Sequence, residues 1–211
     1  NAARDQDMGI FLISPTDKGG HLHSPSKRLK QLCKPLHPIV FNDLFCLSDP
    51  RVHTISVGAA KVEDLDLHLK AVKMLPNAKE LLPPISASLQ QALEDSLGEA
   101  WLKSWQQGLP RWQETPGKIN LPVLLWLNNL LQAWDLVSYG KARYGLLGQG
   151  DHWFPGNNAD VFEAPLASAG SVSELELKAA LAESPWRDEI PAILRKLKAN
   201  LGGTALQRLG N

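Results

Sequence analysis

Apolar residues follow two different periods along this chain. Residues 9–14 are a short continuous apolar run closed by turn residues, and residues 52–57 are a β-branched run that ends at Gly58; both patterns predict strands. Between and after these runs, apolar positions recur at helical spacing, which predicts helices from Ser24, at residues 41–47 and at residues 61–74. The order strand, helices, strand, helix predicts an α/β protein whose parallel strands are joined by helical crossovers.

The helix predicted at residues 61–74 has one apolar face and ends before Pro76. That face consists of Val62, Leu65, Leu69 and Val72. From residue 83 onward no strand is predicted, and helices are expected at residues 85–97, from Asn120 as N-cap, and at residues 173–183 and 189–201. The pattern therefore predicts two domains, an α/β part at residues 1–80 and an all-helical part at residues 81–211.

Two strands are too few for a stable parallel sheet. Such sheets are found almost only with both faces covered, and a two-stranded pair leaves both edges open. Either the chain pairs with strands from elsewhere, or it is the tail of a longer protein whose earlier strands complete the sheet. We favour the second alternative.

Composition and charge narrow the possible partners. Lys plus Arg and Asp plus Glu both number 22, so the formal net charge is zero and general electrostatic binding to nucleic acid is not expected. The longest apolar stretch, residues 121–136, contains Asn128, Asn129, Gln132 and Asp135, and is expected to be an amphipathic helix and not a membrane span. Two cysteines are too few for a disulfide framework, so we expect a cytoplasmic protein.

Three segments resemble the end of an aldo/keto reductase barrel. They are Gly-Ile-Phe-Leu-Ile-Ser-Pro-Thr-Asp-Lys-Gly-Gly at residues 9–20, Leu-Cys-x-Pro-Leu-x-Pro-Ile-x-Phe-Asn-Asp-Leu at 32–44, and Val-His-Thr-x-Ser-x-Gly-Ala at 52–59. Residues 136–144 and His-Trp-Phe-Pro-Gly at 152–156 resemble the helical extension of a bacterial branch of that family. The resemblance implies the C-terminal part of a (β/α)8 TIM barrel, with strands seven and eight present, followed by an all-helical extension.

The family binds NADPH and reduces small-molecule carbonyls by hydride transfer. Its catalytic residues lie on strands that are missing here, so the resemblance implies no catalytic residue in this chain and little activity without the N-terminal barrel segment. It implies that a Ser-Pro-x-x-x-Gly-Gly loop crosses the diphosphate and that a segment after the last strand reaches the adenosine phosphate. The cofactor-binding residues implied by the resemblance are Ser14, Thr16, Lys18, Gly19, Gly58, Lys61, Asp64 and His68.

Within that set, Lys61 is matched to the 2′-phosphate, and Asp64 and His68 to positions facing adenine. From the residues alone, Lys61 is ordinarily a solvated charge in a first helical turn, and only the resemblance favours the phosphate role. His68 is equally a core histidine with satisfied nitrogens. Ile13 departs from the family, because many members carry an aromatic residue there that stacks on the nicotinamide. No cysteine follows Cys46, so no iron–sulfur cluster is expected.

A second hypothesis is a non-catalytic helical interaction module at residues 84–211, or an inactive remnant of the enzyme. The module would bind a partner protein or a redox carrier and is expected to have an exposed apolar face on the helix at residues 121–137. The exposure of that helix therefore discriminates between the two hypotheses.

Overall fold

The computed structural model describes residues 2–16, 20–150, 154–165 and 170–202. The protein is a mixed α/β structure, 58% helical, with one two-stranded parallel sheet. Its elements are α1 (Ala2–Asp5), β1 (Ile10–Ile13), α2 (Lys27–Leu32), α3 (Pro38–Leu47), β2 (Val52–Ser56), α4 (Val62–Met74), α5 (Ala78–Leu97), α6 (Glu99–Ser104), α7 (Leu121–Trp134), α8 (Val137–Leu146), α9 (Glu174–Ala180) and α10 (Ile190–Leu201), with short 3-10 helices at Leu75–Asn77, Pro116–Lys118 and Ala159–Val161.

The chain divides into two compact units. The first comprises the chain up to Ala92 together with Trp134–Leu136, and the second comprises Leu93–Ala133 and the chain from Val137 onward. The boundary predicted after residue 80 and the boundary between these units both lie within α5. Helix α5 continues through Pro83 and Pro84, although each proline removes one backbone hydrogen bond.

In the first unit, β1 and β2 are adjacent and parallel, as the sequence predicts. Ile10 pairs with Val52 and Ile13 with Ser56, with one irregularity after Ile10. The amide of Ser14 continues the pairing by donating to the carbonyl of Ser56 at 3.0 Å. The chain therefore leaves both strands at the same edge of the sheet.

Helices α2 to α5 supply most of the core of the first unit. Its buried residues are Leu22, Leu29, Cys33, Leu36, Ile39, Val40, Leu44, Ala71, Ala78 and Ile85. Helix α2 begins later than the sequence predicts from Ser24 and Pro25, because the hydroxyl of Ser26 caps it by accepting from the amide of Leu29 at 3.0 Å. Helix α3 begins at Pro38, earlier than the predicted residue 41.

The apolar face predicted for α4 points away from the core of the first unit. Val62, Leu65, Leu69 and Val72 are exposed, with Val62 at 78% and Leu69 at 58%. The buried residues of this helix are Asp64, His68 and Ala71. Helical spacing located an apolar face correctly, but the first unit packs against the opposite, more polar face.

The second unit buries most of α7. The amide group of Asn120 caps this helix as predicted, since its Oδ1 accepts from the amide of Val123 at 3.2 Å. Other parts of this unit also contribute buried apolar side chains. They include Tyr144 on α8, Phe162, Leu177 on α9, and Leu194, Leu197 and Leu201 on α10. Pro122 is the only exposed residue of α7.

Candidate functional site at the carboxyl edge of the sheet

The candidate site lies where the chain leaves β1 and β2. Ser14 directly follows β1 and adopts a left-handed backbone conformation with φ of 54°, which turns the chain out of the strand. Gly58 follows β2 by two residues and is exposed, with no other atom within 4 Å of the position a Cβ would take. Because parallel strands end at a common edge, the two predicted cofactor segments start side by side.

Thr16 is buried, and its side chain points into the protein. Its hydroxyl donates to Oδ1 of Asp43 at 3.3 Å, and both residues are at most 1% exposed. Oδ1 of Asp43 also accepts from the side-chain amide of Asn42 at 3.2 Å. Thr16 therefore anchors the loop after β1 to α3. Lys18 and Gly19, which the resemblance places on the diphosphate, lie outside the described residues.

His68 lies between α3 and the segment after β2. Its Nδ1 is 2.5 Å from Oδ2 of Asp43, and its Nε2 is 3.2 Å from the carbonyl oxygen of Gly58. The side chain is 9% exposed. The interpretation of His68 as a core histidine with both nitrogens satisfied describes this geometry. Its predicted adenine contact stays a prediction.

Asp64, in the first turn of α4, also binds the segment after β2. Its Oδ2 accepts from the amides of Ala60 at 2.9 Å and Lys61 at 3.1 Å, and it lies 3.2 Å from Nδ1 of His23. Removal from water raises the pKa of Asp64, but the two backbone amides and His23 outweigh that effect and leave the pKa below its ordinary value. Asp64 is thus an ionised cap of the helix.

Lys61 is exposed at the N-cap position of α4. The carboxylate of Asp64 already occupies the amides of Ala60 and Lys61, so those two donors are not available to a phosphate. A phosphate at this helix end would depend on the ammonium group of Lys61 and on donors further into the first turn.

Two hydrogen-bonded chains therefore connect the segment after β1 with the segment after β2. One runs through Thr16, Asp43, His68 and Gly58, and the other runs from His23 through Asp64 to the amides of Ala60 and Lys61. Sequence reasoning missed the role of Asp43. The available signal was an acidic residue among Ile39, Val40 and Leu44 on the apolar side of α3, where a carboxylate needs partners.

Comparison of the chain with protein-family models, curated proteins and solved structures finds no match. The resemblance to aldo/keto reductases therefore depends on the motifs in the sequence itself. No helix among the described ranges is long and apolar enough to cross a membrane.

The interaction-module hypothesis predicts an exposed apolar face on the helix at residues 121–137. In the structure, Leu124, Leu127 and Leu130 of α7 are buried within the second unit. Trp126, also on α7, packs against Tyr139 and Phe154 with ring centroids about 6 Å apart. This helix therefore lacks the surface that the hypothesis requires.

Proposed function

We propose that this chain is the C-terminal part of an NADP-dependent oxidoreductase of the aldo/keto reductase type, with carbonyl compounds as substrates. In this proposal β1 and β2 are the last two strands of a (β/α)8 barrel. The observation that carries it is the parallel pairing of these strands, which brings the loop from Ser14 and the segment from Gly58 to one edge. Ligands of open and closed parallel sheets bind at that edge.

The exposed apolar surface of the first unit supports the proposal that a further barrel segment packs against it. Helix α4 exposes the stripe Val62, Leu65, Leu69 and Val72. On β1, Phe11 is 57% exposed and Ile13 is 74% exposed. Parallel strands and the helices that cover them normally bury such residues on both sides of the sheet. In this proposal the preceding strands and helices of the barrel cover this surface.

The chain's own residues bind and orient the cofactor in this proposal. The loop that begins at Ser14 binds the diphosphate, and the ammonium group of Lys61 binds the 2′-phosphate. NADPH, when bound, supplies the hydride for carbonyl reduction. The proton donor for the carbonyl oxygen belongs to the missing segment, so the chain alone is expected to show little turnover.

The test uses the full-length parent protein that carries the N-terminal barrel segment. Lys61→Ala is expected to weaken NADPH binding about tenfold and to leave NADH binding unchanged, because only NADPH carries the 2′-phosphate. Lys70→Ala is the matched control, since Lys70 is also exposed on α4 but lies more than two turns further along. Fluorescence titration of each nucleotide gives both affinities.

Equal losses of NADPH and NADH affinity in Lys61→Ala would remove the role of Lys61 in cofactor selection. Absence of NADPH binding by the parent, together with absence of carbonyl reduction, would overturn the proposed function as a whole.

A further inference from the structure

The second unit contains a cavity of about 310 Å³. Its walls come from the end of α5 and from α6, α7 and α10, and every described residue that lines it belongs to this unit. Leu97, Trp101 and Ile193 form what we call its apolar wall. The volume lies at the small end of the range for small-molecule sites, which is about 300–1,000 Å³.

Asn128 places a buried amide in the wall of this cavity. The residue is 5% exposed, and its side chain makes no hydrogen bond to any residue within the described ranges. The neighbouring Asn129 is equally buried, but its Oδ1 accepts from the indole of Trp101 at 2.8 Å. Buried amides are nearly always hydrogen-bonded, because an unpaired one costs free energy. Asn128 therefore needs a partner, and the cavity is the space from which a partner reaches it.

Two further side chains bring hydrogen-bond donors to the same cavity. The ammonium group of Lys196 donates to Oε1 of Gln132 at 2.9 Å, and an ammonium group carries three N–H donors, of which this contact needs one. Since Oε1 of Gln132 accepts from Lys196, the NH2 group of Gln132 is the donor that it offers to a ligand. With the NH2 group of Asn128, the polar wall offers donors from one cation and two amides.

The charge and shape of these walls favour a small carboxylate. Lys196 is the only charged residue among the described residues that line the cavity, so an anion meets an attractive charge and no opposing carboxylate there. A planar carboxylate accepts up to about four hydrogen bonds, which matches one ammonium and two amide groups. Phosphate is more often held by arginine forks or by several backbone amides. The indole of Trp101 in the apolar wall favours an aromatic body for the ligand.

We propose that this cavity binds a small organic carboxylate with an aromatic body. The carboxylate accepts hydrogen bonds from Asn128, Gln132 and Lys196, and the aromatic body packs against the apolar wall. The proposal does not depend on the proposed function, because its residues belong to the second unit and none of them is a predicted cofactor-binding residue.

The first measurement is a titration of the full chain with phenylacetate, which joins a carboxylate to one aromatic ring. In 1H–15N spectra, the side-chain amide signals of Asn128 and Gln132 are expected to shift with a dissociation constant of about 1 mM or below. Each signal is assigned by its loss when that residue is replaced by Leu. Absence of these shifts at about 10 mM phenylacetate overturns the proposal.

Three related compounds test the chemical class of the ligand. Phenylacetamide has the same shape without the charge, and acetate has the charge without the ring, so both are expected to bind at least about tenfold more weakly than phenylacetate. Phenyl phosphate is also expected to bind more weakly. Equal binding of phenylacetamide or acetate, or tighter binding of phenyl phosphate, would contradict an aromatic carboxylate as the ligand.

The variant Asn128→Leu separates binding from stability. It is expected to weaken phenylacetate binding at least about tenfold, yet to unfold at the same or a higher urea concentration than the unmodified protein, because it removes an unpaired buried amide. Asn129→Leu is the matched comparison and is expected to lower the urea midpoint, since the indole of Trp101 then loses its acceptor. Full affinity in Asn128→Leu, or a midpoint lowered as far as in Asn129→Leu, assigns Asn128 a structural role and overturns the proposal.

The variant Lys196→Met tests the charge, because it keeps most of the side-chain length and removes the ammonium group. It is expected to weaken phenylacetate binding about tenfold and to leave phenylacetamide binding unchanged. Lys103→Met is the matched control, since Lys103 is exposed in the same unit and pairs with Glu99, and it is expected to keep the affinity for phenylacetate. Unchanged phenylacetate binding in Lys196→Met, or equal losses for the acid and the amide, would show that the cavity does not recognise a carboxylate.

Discussion

The Nδ1 atom of His68 lies 2.5 Å from the Oδ2 atom of Asp43, although 25 residues separate them in the sequence. This contact joins α3 to α4 inside the first unit, beside the buried side chains of Leu44 and Ala71. Two polar residues on facing helices are stable in such a place only because each supplies the partner that the other needs.

Removal of the Asp43 carboxylate is expected to destabilise the protein strongly. Asp43→Ala leaves the hydroxyl of Thr16 and the ring of His68 buried without their acceptor, and breaking a buried pair from one side costs about 3–5 kcal/mol. The free energy of unfolding in urea measures the loss. Asp66→Ala, an exposed acidic position on α4, is the control and is expected to change stability by less than about 0.5 kcal/mol. Similar losses in both variants would contradict the role of Asp43.

The contribution of Asp64 to stability is expected to depend on pH. Since its pKa is lower in the folded protein, its contribution is present above the ordinary Asp value of about 3.9 and is lost as pH falls through the folded value. Asp64→Asn is therefore expected to lower the urea midpoint at about pH 7 and to approach the unmodified protein at about pH 2. A difference between the two proteins that is the same at both pH values would show that Asp64 is not an ionised cap.

The Cys33 thiol is expected to resist alkylation in the folded protein. Burial raises its pKa from 9.0 to about 11, and the residue is 1% exposed. This higher pKa lowers the thiolate fraction of Cys33 about 100-fold near neutral pH. Iodoacetamide labelling followed by peptide mass spectrometry measures each site, and half-buried Cys46 is the internal comparison. Labelling of Cys33 faster than Cys46 without denaturant would contradict its burial.

The exposed apolar surface of the first unit is expected to make the chain self-associate. Ile13 lies on a strand with an unpaired edge in this two-stranded sheet, and Leu69 lies on the exposed stripe of α4. The double variant Ile13→Lys and Leu69→Lys is expected to reduce association in sedimentation velocity and to change stability by less than about 0.5 kcal/mol per site. Under the proposed function, the same changes are expected to destabilise the full-length parent, because the N-terminal segment covers this surface there. No effect on the parent would indicate that this surface is uncovered there too.

In the second unit, Trp101→Phe is expected to lower the free energy of unfolding by about 1–3 kcal/mol. The indole Nε1 donates to Oδ1 of buried Asn129 at 2.8 Å, and the phenyl ring leaves that oxygen without its donor. Trp105→Phe, at the end of the same helix and half-buried, is the matched control. Urea unfolding measures both variants, and equal changes would mean that the hydrogen bond contributes little.

The sequence predicts the order of elements in the first unit well. Both strands, their parallel pairing and the end of α2 before Pro35 follow from local apolar runs and turn residues. These features depend on a few neighbouring residues and on the small number of ways to connect parallel strands. The candidate residues near the strand ends, such as Ser14 and Gly58, come instead from the resemblance to the reductase family, and their role in cofactor binding stays a prediction.

By itself the sequence determined which segments form strands and helices, and it determined the apolar stripe of α4. Both depend only on the spacing of apolar residues along a single element. Only the tertiary structure decided which face of α4 is buried and that Asp43 meets His68. The spacing of residues places an apolar face on a helix. Which face is buried depends on the elements that pack against the helix. In this chain the buried face of α4 carries Asp64 and His68. Burial of these two polar side chains is possible because His23 is the partner of Asp64 and Asp43 is the partner of His68.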